Sequence, residues 1–170
     1  MHPRIEYATT APGVLAAMSG LEAYLHQTGL DRQLLELVKL RASLINGCAY
    51  CVDMHTKVAR SLGETEQRLY AVSVWRECPF YSERERAALA WTEAITLVSV
   101  DHVPDEIYEL VLPHFSGKEL VDLTLAIVAI NGWNRLAIAF RTVPGTFQVG
   151  GRIRDRRDAT GSEPAHSATE

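Results

Sequence analysis

Residues Glu36 to His55 read ELVKLRASLINGCAYCVDMH, and no other stretch of the chain concentrates as much reactive chemistry. Asn46-Gly47 is a dipeptide suited to left-handed backbone, so it predicts the end of one helix and a turn into the next. Before the turn, Leu34, Leu35, Leu37, Val38, Leu40, Leu44 and Ile45 make a helix apolar on nearly every face, which predicts burial. Glu36 is the exception inside it. A buried carboxylate calls for a partner, because removal from water favours its neutral form.

After the turn, Cys48, Cys51 and His55 follow at intervals of three and four residues, which puts them on one helix face within an arc of about 60°. If the two helices run antiparallel, Glu36 lies ten residues before the turn and His55 eight after it. At about 1.5 Å rise per residue the two are level to within roughly 3 Å, so the carboxylate can orient the imidazole directly or through water. A free thiol pKa of about 8.5 falls to roughly 3.5–7.5 near a helix N-terminus, an imidazole or a second cysteine. All three influences meet here. His55 is then placed to take the proton of Cys51, Glu36 to hold the His55 tautomer, and Cys48 to close a disulfide with Cys51.

Two blander readings compete. Cys-x-x-Cys-x-x-x-His can be half of a zinc site with Glu36, Cys78 or His114 as a fourth ligand, although the chain has no second paired knuckle. The cysteines can also be small buried hydrophobes, which redox spacing followed by histidine disfavours.

The spacing Glu-x11-Cys-x2-Cys-x3-His, set within KLRASxxNGCxYC, resembles the core motif of the alkyl hydroperoxidase D-like branch of the carboxymuconolactone decarboxylase superfamily. Glu36, Cys48, Cys51 and His55 match it one for one, and Ile130 to Arg141, INGWNRLAIAFR, resembles the terminal helix of that superfamily. The likeness covers about residues 10 to 145. It implies a peroxidase in which Cys51 attacks the peroxide and becomes a sulfenic acid, while Cys48 donates a proton and resolves it. It also implies trimers, or hexamers built as trimers of dimers. Well-studied hydroperoxidases of the family carry a histidine just before the second cysteine, where this chain has Tyr50.

The wider sequence sets bounds on this reading. With 170 residues, one domain with a substantial core is expected, spanning residues 1–149, with a polar, charge-alternating and disordered tail over 150–170. A hydrophobic share of 47% against 22% charged residues is that of a globular protein. The net charge of −4 supplies no basic field for nucleic acid, and no arginine- or lysine-rich helix marks a membrane surface. Three cysteines do not make a secreted disulfide framework, so a reducing cytoplasm is expected.

Apolar positions follow the helical period throughout, which predicts an all-α compact bundle of about six to seven helices carrying the cysteine motif on an antiparallel hairpin. The N-terminus is read as an extended arm, followed by a helix over Val14–Gln27 with Tyr24 in the core. Asp31 caps the Glu36 helix, where Lys39 and Arg41 need acidic partners or a subunit boundary. The cysteine helix runs to a Gly63 cap, and a further helix spans Glu66–Arg76, ending before Cys78-Pro79. Ser82–Glu85 and Ser116–Glu119 are capping boxes, with Glu83 to Arg86 as a solvated first turn. The second box opens the longest apolar element, to about Phe140. Its continuous apolar run, Leu123 to Ile130, is short of the roughly 20 residues that span a bilayer. Asn131, Asn134 and Arg135 within it need polar partners. Helices apolar around much of their girth in so small a domain also predict a homo-oligomer.

The function expected is a thiol-dependent peroxidase acting on hydroperoxides without metal or flavin, recycled by an external dithiol or thioredoxin-like reductant. The alternatives are a lactone decarboxylase, which has no use for a cysteine pair, and a redox-sensing oligomer with little turnover.

Overall fold

The computed structural model describes residues 2–150, so the expected tail lies outside the described residues from 151 onward. The chain forms nine α-helical segments among these: α1 (Tyr7–Thr10), α2 (Pro12–Leu25), α3 (Arg32–Asn46), α4 (Ala49–Ser61), α5 (Glu66–Ala71), α6 (Glu83–Thr96), α7 (Val98–Asp101), α8 (Asp105–Val111) and α9 (Gly117–Phe140). A 3-10 segment, Val72–Glu77, follows α5. The described residues contain no strand, and the architecture is all-α. Setting aside the single turns α1 and α7 leaves seven helices, within the expected range.

α3 is the central element. Asp31 caps it by accepting the Leu34 N–H at 2.8 Å, and Gly47 ends it with φ of 69°, a left-handed turn that reverses the chain into α4. Its side chains reach three separate clusters. Leu34, Leu35 and Val38 pack with Trp91, Phe115, Leu123 and Ile127 from α6, α9 and the loop before it. Leu37 and Leu40 pack with Leu69, Val72, Trp75 and Leu89. Ala42 packs with Cys48, Cys51, Ile130 and Ala137. Fully burying a side chain of the leucine class contributes about 1.5–3 kcal/mol, so α3 is fixed from several directions at once.

Both charged residues expected to need partners on α3 find acids. Lys39 Nζ lies 2.8 Å from Glu22 Oε2, and Arg41 Nη2 lies 2.7 Å from Glu93 Oε1. Glu93 also accepts from Trp75 Nε1 at 2.8 Å and pairs with Arg76. Where α3 ends, Asn46 Nδ2 donates to Asn131 Oδ1 at 2.9 Å and to Asn134 Oδ1 at 2.8 Å. Asn134 Nδ2 donates onward to Ser43 Oγ at 3.1 Å, and Asn131 Nδ2 to Thr96 Oγ1 at 3.1 Å. This amide network ties the turn of the hairpin to α9.

Several expectations are corrected. The N-terminal arm contains the turn α1, whose Tyr7 ring sits 5.7 Å from that of Phe140. Tyr24 is exposed, and its hydroxyl donates to Asp122 Oδ1 at 2.9 Å. The helix after Glu66 breaks at Ala71, and Val74 leaves helical geometry altogether (φ −122°, ψ 29°). Guanidinium groups take the carbonyls that would have continued it: Arg41 binds that of Ser73, and Arg86 those of Trp75 and Arg76. The first turn of α6 is not simply solvated, since Arg84 and Glu85 pair with Glu119 and Arg68 and Arg86 turns inward to these carbonyls. α9 as a whole, at 24 residues, is long and apolar enough by length and composition to cross a bilayer. Its Leu123, Ala126, Ile127 and Ile130 are instead buried under the other helices.

Two stability outcomes follow. Asn134→Ala removes two bonds of the network, from Asn46 and to Ser43, while Asn46 keeps Asn131 and Ser43 keeps the Lys39 carbonyl; the loss is expected to cost about 1–3 kcal/mol in urea unfolding. For Glu93, burial pushes the pKa up, but the hydrogen bonds from Trp75 and Arg76 and the charge and hydrogen bond of Arg41 outweigh it and hold the carboxyl below the usual range. A depressed folded pKa means stabilisation that is full above about pH 4.3, the ordinary glutamate value, and fades as pH falls through the folded value. Glu93→Gln is therefore expected to lose about 1–3 kcal/mol at about pH 7, with the gap to wild type narrowing in strong acid.

Candidate active site

Cys48 is the N-cap of α4, in extended backbone at φ −83°, and its sulfur accepts the Cys51 N–H at 3.3 Å. A helix start leaves its first amide groups without partners, so a sulfur in the cap position meets donors suited to a thiolate. Cys51 lies in the first turn above it. The two are joined as a disulfide with a Cα–Cα distance of 5.4 Å, and both are buried.

One helical turn further on, His55 is buried at 4% exposure. Its Nδ1 lies 2.7 Å from Glu36 Oε2, across the hairpin. The antiparallel pairing of α3 and α4 brings these two residues to the same level. Burial pushes the Glu36 carboxyl up, but the hydrogen bond and charge of His55, together with Lys39 and the more distant Arg32, overcome it and hold the group below the usual range. With Nδ1 committed to a carboxylate, the ring proton belongs there and Nε2 is left as the free acceptor. His55 Nε2 is indeed buried without a hydrogen-bond partner. An unpaired imidazole nitrogen can accept a proton, and His55 stands one helical turn beyond Cys51 on α4.

The walls of the site are apolar. Ile130 and Ala137 of α9 pack against the cysteines, with Tyr50 and Trp133 half-buried at the edge. Burial, and then the charge of Asp53, push the Tyr50 hydroxyl pKa up, so it remains a neutral phenol. Cys78 stands apart as a free, half-buried thiol packed against the cluster of Trp75 and Tyr81. His114 lies in the loop before α9, where its carbonyl accepts from Arg84. Among the described residues no three His, Cys, Asp or Glu side chains gather into a group able to hold a metal ion.

Sequence periodicity alone missed the residues behind Glu36. Glu22, on a helix read only for its apolar stripe, binds Lys39, and Trp133 Nε1 donates to the other Glu22 oxygen at 3.2 Å. The available signal was Lys39 itself, a cation three residues from Glu36 on a helix predicted to be buried.

The model of the carboxymuconolactone decarboxylase family matches residues 12–94, which carry α2 to α5 and most of α6. The uncharacterized protein YdfG of Bacillus subtilis (strain 168) is 48% identical over 139 residues, covering 82% of this chain and 95% of YdfG. Among solved structures, a protein of unknown function from Agrobacterium tumefaciens, described as a candidate antioxidant defence protein AhpD, is 46% identical with a TM-score of 0.83. That match covers 86% of this chain and all (100%) of the other. The debrominase Bmp8 shares the fold at 22% identity and a TM-score of 0.73, over 81% of this chain and 74% of its own. Sequence likeness over nearly the whole of such relatives, on an all-helical frame that carries a paired Cys48 and Cys51, has one consequence: the chain belongs to the carboxymuconolactone decarboxylase family, in its AhpD-like branch.

Proposed function

We propose that the protein is a thiol-dependent peroxidase that reduces hydroperoxides through a Cys48–Cys51 dithiol–disulfide cycle. The observation that carries this reading is the buried His55, bound to Glu36 through Nδ1 and unpartnered at Nε2, on the same helix face as the cysteine pair.

In the reduced enzyme, His55 Nε2 accepts the Cys51 proton, and Glu36 faces the resulting imidazolium. The Cys51 thiolate attacks the distal oxygen of ROOH. The O–O bond breaks, its electrons leave with RO⁻, and Cys51 becomes a sulfenic acid. Cys48 supplies a proton to the leaving alkoxide, giving ROH, and its thiolate then displaces hydroxide from the Cys51 sulfur. With the imidazolium proton the hydroxide leaves as water, so one dithiol and one ROOH become one disulfide, ROH and water. The sulfur chemistry balances without a metal or flavin.

An external dithiol, of the thioredoxin-like class, reopens the disulfide by attacking Cys51. Cys48 then leaves as a thiolate received by the Cys51 N–H and the start of α4. The apolar contacts of Ile130, Ala137 and Trp133 favour organic hydroperoxides. A reducing cytoplasm suits such a cycle, and the proposal extends to a homo-oligomer, trimeric or hexameric, since Val121, Val128 and Ile138 stand exposed along α9.

Intact mass and free-thiol counts of the reduced protein, before and after one equivalent of cumene hydroperoxide, test the cycle. Wild type is expected to lose two thiols per chain, Cys48→Ser to gain one oxygen on Cys51, and Cys51→Ser to consume no peroxide above background. Unchanged turnover in Cys51→Ser would sink the proposal. His55→Gln, which keeps the volume near that of the ring but lacks its basicity, is expected to slow thiol oxidation by roughly 10²-fold in stopped-flow measurements.

A further inference from the structure

Behind Glu36 stands a lysine that the cycle does not use. Lys39 Nζ lies 2.8 Å from Glu22 Oε2 and 3.9 Å from Glu36 Oε1, with only 9% of its side chain exposed. Lysine is among the residues least often found inside a protein, and there it needs compensating charge. Glu22 supplies that charge, and Trp133 fixes Glu22 through its second oxygen. The result is a row across three helices: Glu22 of α2, Lys39 and Glu36 of α3, and His55 of α4. The alternation of signs ends at the imidazole.

We propose that Lys39, clamped by Glu22, is a positioning residue that sets the charge on the Glu36–His55 pair and so the pH at which Cys51 becomes a thiolate. The proposal rests on the reading of Cys51 and His55 as thiol and base. The groups facing the pair come from every neighbouring helix. α3 contributes Lys39 and the exposed Arg32, α4 contributes His55 and the cysteines, and α2 contributes Glu22. α9 contributes Trp133, which carries no charge. The other cation of the buried part of α3, Arg41, is taken up by Glu93 of α6.

Lys39 sets a positive charge beside Glu36, and together with the imidazole that positive field favours loss of the Cys51 proton. Removing the lysine leaves Glu22 and Glu36 uncompensated, and in that more negative field the Cys51 thiol holds its proton to higher pH. Removing the charge of Glu22 does the reverse, because Lys39 is then unopposed. A charge within about 4–6 Å typically moves such a titration by about 1–3 pH units, and the partial exposure of Glu22 places the expectation at the low end.

The test is the pH dependence of thiolate formation in the fully reduced protein, read by ultraviolet thiolate absorbance against a Cys51→Ser background. Lys39→Met is expected to move the Cys51 transition up by about one pH unit, and Glu22→Gln to move it down. Both substitutions cut the same ion pair, so a purely structural role would move both transitions the same way. Lys39→Arg is expected to restore the wild-type transition. Shifts in the same direction, or an unmoved transition in Lys39→Met, overturn the inference. Should Lys39→Met fail to fold, Glu22→Gln decides alone, and an unmoved transition there overturns it equally. Peroxide-driven thiol loss in wild type is scored separately: opposite shifts in a protein inert to peroxide would retain the positioning role and remove the peroxidase reading.

Discussion

A carboxylate removed from water in the middle of an apolar helix has to be compensated, and at Glu36 the compensation arrives from two directions. His55 meets one oxygen across the hairpin, and Lys39 stands near the other on the same helix. The first contact fixes how α3 and α4 face each other, because a slip of one residue would carry the imidazole about 1.5 Å along the axis and around it by about 100°. The second draws in Glu22, and through it α2 and Trp133 of α9. One charge thus specifies the relative placement of four helices. Such specificity differs from the bulk of the stability, which comes from the leucines of α3 packed into their clusters.

The same helix divides its labour by position. Its first half is anchored in the large apolar cluster of α6 and α9, and its second half presents Ala42 and Ser43 to the cysteines and to the amide network. A small residue at Ala42 lets the start of α4 approach closely, and Gly47 makes the reversal in a left-handed conformation that other residues adopt at a cost. Because α3 is held so firmly, the dithiol beyond the turn is carried on a rigid support.

α9 lies outside the residues that the family model matches, yet it closes the site. Ile130 and Ala137 cover the cysteines, Asn131 and Asn134 grip the hairpin turn, and Trp133 fixes Glu22. Asn131 and Asn134, which interrupt this apolar helix, are therefore its points of attachment to the cysteine hairpin, whereas the exposed Arg135 bonds back to Asn131. Their amides bond side chains of α3 and α6, which gives the contact geometric precision in a region where apolar packing alone is tolerant.

Local chemistry was legible from the chain alone. Gly47 marked a turn, Ser82 and Ser116 with their glutamates marked helix starts, and the 3.6-residue period marked an all-α fold. The intervals between Cys48, Cys51 and His55 placed them on one helix face, and counting residues about the turn placed Glu36 level with His55. These relations run through one helix or one tight turn, so sequence distance translates directly into space. What the sequence did not carry was anything that crosses between elements distant in the chain. The pairing of Lys39 with Glu22, of Arg41 with Glu93 and of Asn46 with Asn134 depends on how helices are rotated about their axes when they pack. The same holds for the break after Ala71, where guanidinium groups from α3 and α6 take carbonyls that local propensity assigned to a helix. Sequence determined which groups could react; tertiary packing decided which charges surround them, because a buried charge is settled by whatever partner the fold brings within a few ångströms.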